Sequence, residues 1–302
     1  MNADLLLGAH AVDNAGIVMT VKRAGRGAMQ SLQIFSAVPK FYNDKIGVKP
    51  ERQRAFREAL EEAQINPQHV VVHAAYVINC ATPEMDKWDR SAAALAKEFE
   101  RSTALGVGGV CFHPGAAKDD NRDAAIERVA EAMRRALAAV PTGATKLLIE
   151  NTAGAGTTVG RTPDEIGAML RGIPAELRSR TGYGLDTCHL FAAGHPIHES
   201  REALTRVLDA FEEACGEPPA FFHLNDSEGA FGSNRDRHMR IGEGLIGAKA
   251  FWWLLHDRRA RGVPLILETP QRDPDIAEDD ETPDAWDVET IMQLRALAAT
   301  PV

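Results

Sequence analysis

Six side chains able to bind a metal or move a proton, His73, His113, Glu150, Asp186, His223 and Glu268, each follow a short run of mostly apolar residues. By subtraction, successive members stand 40, 37, 36, 37 and 45 residues apart, close to the length of one strand, one helix and their connections. The runs are LLLGAH (5–10), SLQIF (31–35), VVVHAAY (70–76), GVCFHPG (109–115), KLLIENT (146–152), YGLDTCH (183–189), AFFHLND (220–226) and PLILETP (264–270). Such short continuous apolar runs are the pattern of parallel strands buried on both faces.

Between the runs, segments 50–64, 91–105, 122–140 and 201–215 carry apolar residues every three or four positions beside charged ones, which predicts amphipathic helices. Lys49-Pro50, Thr82-Pro83, Thr162-Pro163 followed by Glu165, and Ser200 followed by Ala203 and Leu204 are helix-start signals. Eight β/α units predict an α/β fold, a single (β/α)8 TIM barrel over residues 1–302 with its active site where the strands end. A doubly wound open sheet is the alternative, since periodicity does not establish closure. The acidic, proline-marked stretch 273–290 reads as a surface loop leading into a last helix near IMQLRALAA, and no function is assigned to it.

Any one His or Glu after a strand is more often a hydrogen-bonded loop residue than a ligand. Six in successive units, converging on one barrel mouth, point to a metal site, and a set of imidazoles and carboxylates without cysteine points to a catalytic one. His189 stands three residues after Asp186, where the bland reading is a helix N-terminal residue. Asp236 and His238 lie two apart, so in an extended loop they point the same way and could grip one ion; the bland reading is a solvated charged loop. His10, His69, His195, His198 and His256 fall outside the pattern. Cys80, Cys111, Cys188 and Cys215 lack metal-site spacing and read as buried free thiols.

The formal net charge of −9 argues against a generic nucleic-acid binder, whose affinity comes from clustered Lys and Arg. Bound divalent cations would supply the missing positive charge at one place. The start MNADLLLGAH lacks the basic flank and long apolar stretch of a signal peptide, so a cytoplasmic protein without membrane attachment is expected.

The segments HAAY (73–76), HPG (113–115), ENTAGAG (150–156), LDTCH (185–189), HLNDS (223–227), FGSNRDRH (231–238), IGEGLIG (241–247) and LILETP (265–270) resemble, in order and in neighbours, the endonuclease IV family of DNA-repair enzymes. The resemblance implies three zinc ions: the first on His73 and His113, the second on Asp186, His223 and Glu268, with Glu150 bridging these two, and the third on His189, Asp236 and His238. The same donors accept manganese or iron. It implies hydrolysis of damaged double-stranded DNA on the 5′ side of an abasic site, leaving a 3′-hydroxyl and a 5′-deoxyribose phosphate, and removal of blocking groups from 3′ ends. Glu150 would also position the attacking water, and the protein would act as a monomer without an obligatory protein partner.

For DNA handling, Tyr76 matches an aromatic inserted at the lesion and Arg237 a DNA-contacting arginine, while backbone N–H groups of Gly232-Ser233-Asn234 could meet phosphate. The chain departs from the family after the second strand, reading Val38-Pro39-Lys40-Phe41-Tyr42 where a polar segment with a wedging arginine is expected. Lys40 keeps the charge but not the planar fork. Phe41 and Tyr42 are candidates for alternative stacking. Ala75 replaces a proline and Glu228 a lysine. The rival readings are a sugar isomerase or epimerase of the same architecture, for which His189, Asp236 and His238 have no evident purpose, and a metal-dependent DNA-binding protein without cutting activity.

Overall fold

A computed structural model describes residues 5–43, 45–119 and 121–301. Eight parallel strands close into a barrel: β1 (Leu6–Ala9), β2 (Ser31–Ile34), β3 (Val70–His73), β4 (Gly109–Phe112), β5 (Lys146–Glu150), β6 (Thr181–Asp186), β7 (Phe221–His223) and β10 (Pro264–Leu267). They lie around the barrel in chain order, and β10 closes on β1 through Leu6↔Pro264 to Ala9↔Leu267. Closure settles the choice left open by periodicity in favour of the barrel over the open sheet. A two-residue pair, β8 (Asp226–Ser227) with β9 (His238–Met239), forms an antiparallel hairpin in the connection after β7, which the apolar runs did not reveal.

The helices are α1 (Ile17–Arg26), α2 (Pro50–Glu62), α3 (Met85–Leu105), α4 (Arg122–Ala139), α5 (Pro163–Arg171), α6 (Thr187–Ala192), α7 (Arg201–Cys215), α8 (Ala248–Leu255) and α9 (Ala285–Ala299). Three start signals act as read: Pro50 is the first residue of α2, Thr162 accepts from Glu165 N while Glu165 accepts from Gly160 N and Arg161 N, and Ser200 accepts from Ala203 N. Helix α3 begins six residues before the expected segment, and α9 begins inside the stretch expected as loop, capped by Asp284. Among the described residues no helix is long and apolar enough to cross a membrane.

Side chains alternate in and out along each strand. Val71, Cys111, Leu148, Phe221 and Ile266 form a separate packed cluster inside the barrel, while neighbours such as Val70, Val72, Val110, Leu147 and Ile149 join the larger core against the helices. Two residues beyond each interior residue, the same face carries His73, His113, Glu150, His223 and Glu268. Asp186 stands in the same relation to Gly184, whose missing Cβ is required: one added there would lie 2.0 Å from the Phe221 ring. The packed interior is therefore the floor on which the polar mouth rests.

Candidate metal centre

At the mouth the donor atoms gather into groups whose members lie within 4.8 Å of one another, among them His73–His113–Glu150, Glu150–Asp186–His223–Glu268 and His189–Asp236–His238. All nine side chains singled out from the sequence are thus brought together. Glu150 belongs to two of these groups and is fully buried. Its Oε2 lies 3.4 Å from Nε2 of both His73 and His113, and its Oε1 lies 2.8 Å from His223 Nδ1.

The strands alone do not aim these side chains; backbone carbonyls do. Nδ1 of His73 meets Ala74 O at 2.7 Å, Nδ1 of His189 meets Asn151 O at 2.8 Å, and Nδ1 of His238 meets Glu268 O at 3.1 Å. A carbonyl only accepts, so each ring carries a hydrogen on Nδ1, which leaves Nε2 as the atom that faces the mouth. His189 owes its place to Asp186, which caps α6 by accepting from His189 N at 2.7 Å. The three-residue spacing of these two is that of an N-cap and its N3 residue. Asn151 and Asn225 hold Asp186 in turn: Asn151 Oδ1 accepts from Asp186 N at 2.6 Å, and Asn225 Nδ2 donates to Asp186 Oδ2 at 2.5 Å. Asp236 and His238 are presented by the hairpin, Asp236 Oδ1 standing 3.0 Å from His238 Nε2. His113 is set by the turn at Gly115, where φ is +102° and a Cβ would lie 2.2 Å from Asn79 Oδ1.

Several observations fit a bound cation. Glu150 Oε2 is buried without a hydrogen-bond partner, although it belongs to the donor groups. Burial opposes charge on Glu150, yet His223 and His113 hold its carboxyl well below the usual range. Burial likewise lowers the affinity of His223 and His238 for a proton, but Glu150 around the first and Asp186 around the second prevail and raise both to about 9. Four carboxylates in one mouth thus attract whatever positive charge is available, protons or metal ions. Cys111 and Cys188 stand beside the donors, but burial raises both thiols, which leaves the nitrogen and oxygen set expected for zinc and similar divalent ions.

Above the donors opens a cavity of about 450 Å³, lined among others by His73, Tyr76, His113, Asp236 and Glu268. Tyr76 is 61% exposed at its rim and packs edge-on against Phe35, ring centroids 5.6 Å apart. Arg237 is exposed, its Nη1 donating to Asp236 O, and Lys40 is exposed in the loop after β2.

Three expectations need correction. The Gly232-Ser233-Asn234 turn has no N–H to spare: these groups donate to Phe191 O, Ala230 O and Ala192 O. Tyr42 is partly buried and covered by Arg90, whose guanidinium carbon stands 4.3 Å from the ring centroid, leaving Phe41 as the exposed aromatic of that segment. His10 does not lie apart from the site: it lines the cavity and contacts Gln33, an interior residue that the sequence reading passed over. His195 and His198 do remain apart, packed on Phe211 and on Phe191 with Phe231. Cys80, Cys111, Cys188 and Cys215 are free and buried.

With this geometry in hand, comparison with known proteins is informative. A family model described as a xylose isomerase-like TIM barrel matches residues 20–291. A probable endonuclease 4 from Geobacter sp. (strain M21) is 36% identical over 271 residues, covering 89% of this chain and 94% of the relative. This chain belongs to the endonuclease IV family. A probable endonuclease 4 from Chlorobium limicola is 40% identical over 220 residues, covering 72% of this chain and 74% of the relative. Among solved structures, endonuclease IV from Thermus thermophilus superposes with a TM-score of 0.77 at 29% identity, covering 96% of this chain and 98% of that one. A D-tagatose 3-epimerase-like protein superposes at 0.66 with 16% identity, covering 89% and 88% of the two chains, a likeness of fold alone.

Proposed function

We propose that this protein is a zinc-dependent DNA-repair endonuclease that hydrolyses the phosphodiester bond 5′ to abasic sites, leaving a 3′-hydroxyl and a 5′-deoxyribose phosphate, and that also cleans blocked 3′ ends. The observation that carries the reading is the meeting of three donor groups at one mouth in a chain of this family. The assignment of donors is the one implied by the resemblance: His73 and His113 for the first ion, Asp186, His223 and Glu268 for the second, Glu150 between them, and His189, Asp236 and His238 for the third.

Divalent ions held there would supply Lewis acidity and lower the pKa of water towards neutrality. The protein's own contribution is positioning. Glu150, with one oxygen toward His73 and His113 and the other toward His223, stands where it can orient an attacking water. The packed floor beneath the donors lowers the local dielectric on that side, so charges at the mouth act on one another more strongly than in water. Tyr76 offers a ring to stack against an unstacked base step, and Arg237 and Lys40 offer charge to phosphate. The protein is proposed to act in the cytoplasm as a monomer on damaged double-stranded DNA. A sugar epimerase of the same barrel has no evident use for the third group, which weighs against that reading.

The test is incubation of the purified, zinc-loaded protein with a duplex carrying one abasic site, beside an undamaged duplex and a chelator-treated control. Incision 5′ to the lesion that is selective and abolished by chelation is expected. Absence of incision with metals demonstrably bound would overturn the abasic-site assignment.

A further inference from the structure

Beneath the donor cluster, the side chain of Gln33 on β2 is fully buried. Its register partner on β3 is Val71, a member of the interior cluster. A lone carboxamide placed beside Val71 and Cys111 is costly unless its polar atoms are matched. Here they are matched on both sides. Oε1 lies 2.6 Å from His223 Nε2 and 3.8 Å from Cys111 Sγ. Nε2 donates to Glu268 Oε1 and stands 3.0 Å from His10 Nδ1.

We propose that Gln33 is a positioning residue for the group formed by Glu150, Asp186, His223 and Glu268, orienting both His223 and Glu268 toward a bound cation. This rests on the metal-dependent reading above. A neutral imidazole carries one ring hydrogen. Because Gln33 Oε1 only accepts, it keeps a ring hydrogen on Nε2 and makes Nδ1, which faces Glu150 Oε1 at 2.8 Å and Glu268 Oε2 at 3.1 Å, the nitrogen available to a cation. Without this acceptor the hydrogen can sit on Nδ1, where it blocks the donor. The carboxylate of Glu268 also only accepts, so the amide hydrogens hold Oε1 and leave Oε2 turned toward the group. A carboxamide is an acceptor at one end and a donor at the other, which is the polarity this position requires. Leucine lacks both ends, and glutamate would set one carboxylate against another.

Gln33→Leu and Gln33→Glu should therefore be compared with the wild type for bound zinc after equilibration against graded concentrations of a chelator, alongside thermal melting of the metal-free proteins. The expected result is loss of one zinc per chain at roughly 10–100-fold weaker chelation in both variants while the other zinc ions are retained, whatever the change in metal-free melting. Gln33→Glu preserves side-chain length and gives the answer if Gln33→Leu does not fold. Equal zinc retention in variants and wild type overturns the inference while leaving the metal reading intact. Uniform loss of all zinc together with lowered metal-free melting also overturns it, because that is the mark of a merely structural role. A wild type that binds no zinc overturns the metal reading itself.

Discussion

His189 Nε2 stands 3.2 Å from Asp236 Oδ2, so a ring fixed at the start of α6 meets a carboxylate carried by the loop before β9. His238 Nε2 approaches the other oxygen of Asp236 at 3.0 Å. Asp236 is thus the link that assembles the third donor group. Asp236→Asn keeps size but removes the charge, and should cost one zinc per chain and lower incision of abasic duplex by at least about 100-fold, since even outer partners of metal ligands are worth 10–100-fold. Metal content together with single-turnover incision checks this; an active variant lacking one zinc would show that the third group serves no step in cutting.

Stability should depend on pH in opposite senses with and without metal. In the metal-free protein, His223 and His238 are raised from 6.5 to about 9 by carboxylates that outweigh their burial. Their stabilising contribution is complete below the unfolded value of 6.5 and is lost as pH rises through about 9. Glu268, lowered from 4.5 to about 2 because His223 outweighs its burial, contributes above 4.5 and loses that contribution as pH falls through about 2. These groups together place the highest melting temperature of the chelated protein between pH 4.5 and 6.5, with a decline towards 9. Zinc must displace protons from the rings, so the increase in melting temperature on adding zinc should grow over the same rise in pH. Calorimetry across this range, with and without chelator, tests the pair of trends; a zinc increment independent of pH would mean that these rings are not its ligands.

The barrel and six of the nine donors were legible because both follow from a period. An apolar run that ends in a donor, repeated at the length of one β/α unit, is how a barrel strand places a side chain at its mouth. What lay outside that signal was hidden for identifiable reasons. Gln33 sits inside SLQIF rather than at its end, and a single polar residue in an otherwise buried strand was its only mark. Asn151 and Asn225 act through hydrogen bonds to Asp186 that no spacing encodes. The C-terminal stretch reads as a solvated acidic loop, yet Arg23, itself fully buried, donates to Ala277 O and Asp280 O, and Lys22 and Arg26 pair with Glu281. Contacts between residues so far apart in the chain leave no local trace in composition.

Tyr76 should matter for DNA and not for metal. Its ring is exposed at the cavity rim and stands 4.9 Å, centroid to centroid, from His73, held from behind by Phe35. Stacking of a base on an aromatic side chain is worth about 1–3 kcal/mol, so Tyr76→Ala should weaken binding to an abasic duplex by roughly 10–100-fold with unchanged zinc content. Tyr76→Phe should retain most of the affinity. Fluorescence anisotropy with labelled duplex measures both; unchanged binding by the alanine variant would remove Tyr76 from the DNA interface.

Phe41 and Tyr42 should separate in the same assay, because the loop after β2 treats them differently. Buried Arg101 pins this loop by donating to Ser36 Oγ, Asn43 O and Ile46 O, and pairs with Glu98 on its own helix. On that fixed loop Phe41 is 64% exposed. Tyr42 instead packs on the core under Arg90. An exposed ring can stack on DNA without giving up contacts, whereas a ring already packed between the core and Arg90 cannot. Phe41→Ala is therefore expected to weaken DNA binding by several-fold or more with little change in melting temperature. Tyr42→Ala is expected to lower the melting temperature by several degrees, in line with roughly 1–3 kcal/mol for a partly buried aromatic, and to leave affinity for DNA near the wild type at temperatures where it is folded. If Tyr42→Ala instead weakens binding as much as Phe41→Ala without destabilising the fold, the loop must rearrange on DNA and release Tyr42 from Arg90.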